Sequence, residues 1–131
     1  MGYESRIYFV RRYDHIKDDN GYYHSNIVAS LEMFKMGYDE YTDNILKAFD
    51  TPTDFTLWLP ECNENYEEVM QEVNEDKYGK HLMYASNKEA LYKAVKIANA
   101  NNPYYPYFNV FEKLVEQFKG WDNIYIVHYG H

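Results

Sequence analysis

The sequence predicts an α+β domain: a single antiparallel or mixed sheet of about four to five strands, with about two to three helices packed mainly on one face. Three observations lead there. Two segments with period-two apolar alternation stand at the start, joined by the dense turn signal Asp18-Asp19-Asn20-Gly21. Two segments with helical apolar spacing come later, separated by Asn101-Asn102-Pro103. A further alternating segment runs from Asn123 to Tyr129. The chain has 131 residues, 46% of them hydrophobic, which suits one domain spanning 1–131 with a core of its own. It carries no repeat, low-complexity tract or linker-like stretch.

Each element has its own justification. Ser5 to Tyr13 alternates, with Ile7 and Phe9 on one face and Arg6, Tyr8 and Val10 on the other. Tyr23 to Phe34 alternates as well, setting Ile27, Ala29, Leu31 and Met33 against Val28, Ser30, Glu32 and Phe34. With the turn between them, these two segments form a β-hairpin. A two-residue loop at Asp19-Asn20 would set His15 opposite His24. Tyr41 to Phe49 reads as a short helix with Ile45, Leu46 and Phe49 inward and Thr42 or Asp43 as its cap. Thr53 to Leu59 alternates again and reads as a strand closed by Pro60. From Glu61 to Asp76 the pattern is ambiguous: Val69 and Val73 suit a helical stripe, but 69, 71 and 73 would also share a strand face. Leu82 to Ala85 is a short strand or entry segment. Ser86-Asn87-Lys88-Glu89 has the form of a capping box, followed by Ala90, Leu91, Ala94, Val95 and Ala98 at helical spacing. Pro103 discourages helix in the residue before it. A second helix begins near Tyr107, carries Phe108, Phe111, Leu114, Val115 and Phe118, and stops at Gly120. A strand that closes the chain must insert into the sheet to be held, so truncation there is expected to unfold the protein.

Charge is distributed in blocks. The net charge is −8, but residues 38–76 hold twelve acids against Lys47 alone, whereas residues 77–131 are net basic. Such a block repels phosphate and attracts a basic partner, and basic surfaces are common on proteins that handle nucleic acid. The competing reading is a solvated acidic face that keeps the protein soluble. The sixteen tyrosines exceed what one core needs, and Tyr serves contact surfaces well. A single cysteine, Cys62, forbids an intrachain disulfide and fits a reducing cytoplasm. No signal-peptide pattern or membrane-length apolar run is present.

Motifs for chemistry are weak. His15, His24, His128 and His131 match no metal-ligand spacing. Carboxylates around Cys62 would raise its thiol pKa, the opposite of activation. Glycines form no phosphate cradle, and no nucleophile elbow exists. Asp50, Asp54 and Lys80 could serve a metal-dependent hydrolase, but their spacing is not diagnostic. Arg6, Arg11 and Arg12 form no continuous patch, because Arg11 and Arg12 point to opposite faces of a strand. No catalytic residue, metal site or cofactor is expected.

Several blocks carry a resemblance. The opening Met1-Gly2-Tyr3-Glu4-Ser5-Arg6-Ile7-Tyr8-Phe9-Val10 and Ala29-Ser30-Leu31-Glu32-Met33-Phe34-Lys35-Met36-Gly37 resemble small proteins encoded by phages and prophages of Gram-positive bacteria. Thr51-Pro52-Thr53-Asp54-Phe55, Glu75-Asp76-Lys77-Tyr78-Gly79 and Val127-His128-Tyr129-Gly130-His131 resemble them too. The resemblance implies a phage product acting in the host cytoplasm, and it transfers no catalytic residue. By analogy with acidic phage inhibitors, including anti-CRISPR proteins, the expected role is inhibition or modulation of a host nucleic-acid-handling or defence protein by occupying its basic surface. The expected contact residues are Glu61, Glu64, Glu67, Glu68, Glu72, Glu75 and Asp76, with Tyr66, Tyr78, Tyr104 and Tyr105 as aromatic anchors. The partner would be a basic protein such as a CRISPR effector, with neither nucleic acid nor membrane bound directly, and a homo-oligomer is possible. The alternatives are a metal-dependent hydrolase using a carboxylate cluster and a self-assembling phage structural component.

Overall fold

Alternation of apolar side chains has the expected outcome in the computed structural model, which describes residues 4–17, 23–34, 39–52 and 82–130. The strands are β1 (Glu4–Lys17), β2 (Tyr23–Phe34), β3 (Thr51–Pro52), β4 (Leu82–Tyr84) and β5 (Ile124–Gly130). The helices are α1 (Glu40–Ala48), α2 (Lys88–Asn101) and α3 (Pro106–Phe118). The strands form one five-stranded sheet in the order β2-β1-β5-β4-β3, and every pairing is antiparallel. This is the α+β class the sequence predicts. The strand expected over Thr53 to Leu59 and the ambiguous stretch from Glu61 to Asp76 lie outside the described residues.

The three described helices share one face of the sheet. Ile45 and Phe49 from the α1 region, Leu91, Val95 and Ala98 from α2, and Phe108, Phe111 and Val115 from α3 meet Ile7, Phe9, Met33, Met83, Ile124 and Ile126. Burying side chains of this size contributes about 1.5–3 kcal/mol each. Phe118 lies 5.5 Å from Phe9, which sets the end of α3 over β1. The other sheet face holds a second cluster of Tyr8, Val10, Leu82, Val127 and Tyr129, with Ile27, Tyr84 and Tyr125 against it. Val10 and Val127 are fully buried, so β5 is apolar on both faces, as suits a strand enclosed on both sides.

The hairpin contains a feature that alternation alone does not predict. Phe9 pairs with Ala29, but Val10 pairs with Ile27, so Val28 is an extra residue on β2. This bulge shifts the pleat by one position. Ile27, expected on the same face as Ala29, therefore packs with the Tyr8–Val10 cluster instead. Toward the turn the register sets Tyr13, rather than His15, opposite His24. The cross-strand His15–His24 pair is thus not formed, because a second register shift lies between Tyr13 and Lys17.

Caps also differ in detail. The Asp39 carboxylate, not Thr42 or Asp43, caps α1, accepting from the Thr42 amide at 2.9 Å. The Thr42 hydroxyl returns the favour to the Asp39 amide at 3.1 Å, which completes a capping box one turn earlier than expected. Asn87 caps α2 by accepting from the Ala90 amide at 3.1 Å. Ser86, expected to cap that helix, is engaged by Asp50 instead: its hydroxyl donates to Oδ2 at 2.7 Å and its amide to Oδ1 at 3.0 Å. Pro106 occupies the first turn of α3, where its missing N–H costs nothing.

The Asp50–Ser86 clamp ties the exit of α1 to the entry of α2. The Ser86 hydroxyl and then its amide hold the Asp50 carboxyl below the ordinary carboxylate range. A depressed folded pKa gives stability that is present above the unfolded value and lost as pH falls through the folded one. Asp50→Asn is expected to lower stability at pH 6 by about 1 kcal/mol, a figure kept small by solvent exposure. Between pH 6 and pH 3 the gap to wild type should narrow. Thermal melts of both proteins at the two pH values check this, and a gap that widens in acid would refute it.

Candidate functional site

Tyr104 is the most exposed aromatic described, at 98%. Local chemistry puts it there. The Asn102 side chain donates to the Ala98 carbonyl at 2.8 Å and ties off the last turn of α2. The Tyr105 amide donates to the Asn102 carbonyl at 3.1 Å, folding Pro103 and Tyr104 into the tip of a tight turn. A side chain at such a tip has no layer above it. Tyr105 behaves differently. It is half-buried at the N-cap of α3, with its ring 4.7 Å from Phe108 and 5.2 Å from Tyr107. Of the two expected anchors in this connector, Tyr104 is thus free to meet a partner, while Tyr105 is committed largely to the core.

Further apolar surface continues from the tip. Tyr107 is 42% exposed, Val110 45% and Ile97 56%. Tyr107 and Val110 lie three apart on one flank of α3, one helical turn above each other. The opposite flank of α3 faces α2, where Lys119 pairs with Glu89 and approaches the Tyr92 ring at 5.3 Å.

The expected acidic contact residues Glu61, Glu64, Glu67, Glu68, Glu72, Glu75 and Asp76, with Tyr66 and Tyr78, lie outside the described residues. The described acids of the same block have structural tasks. Asp39 caps α1, Glu40 and Asp43 stand in its first turn, Asp43 pairs with Lys47 at 3.0 Å, and Asp50 holds Ser86. Carboxylates in the first turn complement the helix dipole.

Other sequence candidates are dispersed. Arg11 stacks on Tyr13 at 4.7 Å and Arg12 on Tyr125 at 4.6 Å. Because β1 alternates, the two guanidinium groups serve opposite sheet faces and form no common patch. His128 is fully buried on the helix-covered face, 2.9 Å from the Ser5 hydroxyl and 5.5 Å from the Phe49 ring. Nothing in its spacing from His131 signals that burial; its place on the inward face of β5 does, since it falls in line with Ile124 and Ile126. Of the imagined Asp50, Asp54 and Lys80 set, only Asp50 is described. Among the described residues, no three His, Cys, Asp or Glu side chains come together as a metal site.

Comparison with protein-family models, curated proteins and solved structures finds no match to this chain. Any functional reading must therefore come from the residues themselves. Among the described residues, no helix is long and apolar enough to cross a membrane.

Proposed function

We propose that this chain is a non-enzymatic binding protein that inhibits or modulates a nucleic-acid-handling or defence protein by occupying a basic surface on it, in the manner of a phage-encoded anti-CRISPR protein. The observation that carries the reading is the charge partition: twelve acids against one base in residues 38–76 of a chain whose remainder is near neutral or basic. A concentrated carboxylate surface imitates the charge of a phosphate backbone, so it competes for sites built to hold one. The exposed ring of Tyr104 supports the aromatic half of the proposal, since Tyr anchors protein contacts through a large rigid surface and a polar tip. The acids from Glu61 to Asp76 supply steering, and the cytoplasm of a Gram-positive host is the proposed place of action.

Affinity capture from host lysate at low and high salt tests this. A basic nucleic-acid-handling protein should be retained at low salt and released at high salt, with an association rate that falls as salt rises. Replacing Glu67, Glu68 and Glu72 together by Lys should weaken capture by roughly a hundredfold, because like charges then face each other across the contact. A salt-independent association rate, or capture unchanged by the triple reversal, would remove the acidic surface from the proposal.

A further inference from the structure

We draw no further inference here: the strongest candidate, the apolar cluster of Tyr8, Val10, Leu82, Val127 and Tyr129 on the sheet face away from the three described helices, carries no proposal because nothing among the described residues shows what covers it.

Discussion

A chain ending at Asn123 should show no cooperative thermal transition. β5 lies between β1 and β4, and β3 reaches the sheet only through β4. Removing β5 takes away the register partners of β1 from Ser5 to Arg11 and those of β4 from Leu82 to Tyr84. Buried backbone groups on both neighbours would lose their hydrogen bonds, which costs free energy at each site. The loss also removes Ile124, Ile126 and Val127, each nearly or fully buried and each contributing about 1.5–3 kcal/mol by transfer alone. Together with the ladder, that reaches the whole stability of a typical domain, roughly 5–15 kcal/mol. Far-ultraviolet circular dichroism with a thermal ramp checks it. A sharp transition in the truncated chain would mean that the remaining strands hold a sheet without their central member.

Phe9→Ala should be the most damaging single substitution on β1. Phe9 is fully buried, meets Phe118 of α3 at 5.5 Å, and stands between Ala29 and Ile126 on the helix-covered face. Truncating such a ring removes its transfer free energy and leaves a cavity, a cost of about 3–5 kcal/mol. Urea titration should show a lower midpoint with an unchanged slope if the native fold persists. Val28→Ala, at the exposed bulge, is the matched control and should change stability by no more than about 0.5 kcal/mol. A Phe9→Ala protein as stable as that control would show that the α3 layer does not pack on β1 as described.

The fold was legible wherever periodicity met a single partner. β1, β2, β5 and all three described helices follow from apolar spacing, because each sends a periodic set of side chains into the core beneath the helices. The departures arise where distant parts of the chain decide. Ser86 and Asn87 are both good caps, and which one serves depends on Asp50, which lies far away in sequence yet takes the Ser86 hydroxyl. Asp39, Thr42 and Asp43 are all plausible at the start of α1, and only Asp39 has the extended backbone that a cap requires. The bulge lacks a local marker: Ile27, Val28 and Ala29 include no glycine, and the pleat shifts only because β1 pairs on either side of Val28. The second apolar face is a further departure: Asn123 to Tyr129 reads as an alternating segment, yet Val127 and Tyr129 pack into a cluster of their own while Ile124 and Ile126 pack into the first.

The contact residues were less legible. Charge is visible in sequence as a total over a block, yet the role of each carboxylate depends on its neighbours. Asp39 and Asp50 count toward the acidic block and turn out to hold a helix cap and an interhelix clamp. Tyr104 and Tyr105 are adjacent, identical and flanked by prolines, and nothing in their composition separates them. The turn does so, exposing one ring and folding the other against Phe108.

The sheet order also has a consequence for the way the chain acquires its shape. Synthesis releases β1 and β2 first, and these two can zip together locally. The other side of β1 waits for β5, so that Ser5 finds Gly130 only after nearly all the intervening chain has been made. Contacts of such long sequence separation close slowly, because loop entropy must be spent before they form. Until then the nascent hairpin offers an unfinished edge on the strand destined for the interior of the sheet. During that interval its company is whatever the cell supplies, and a holding chaperone has more to protect in this chain than its modest length suggests.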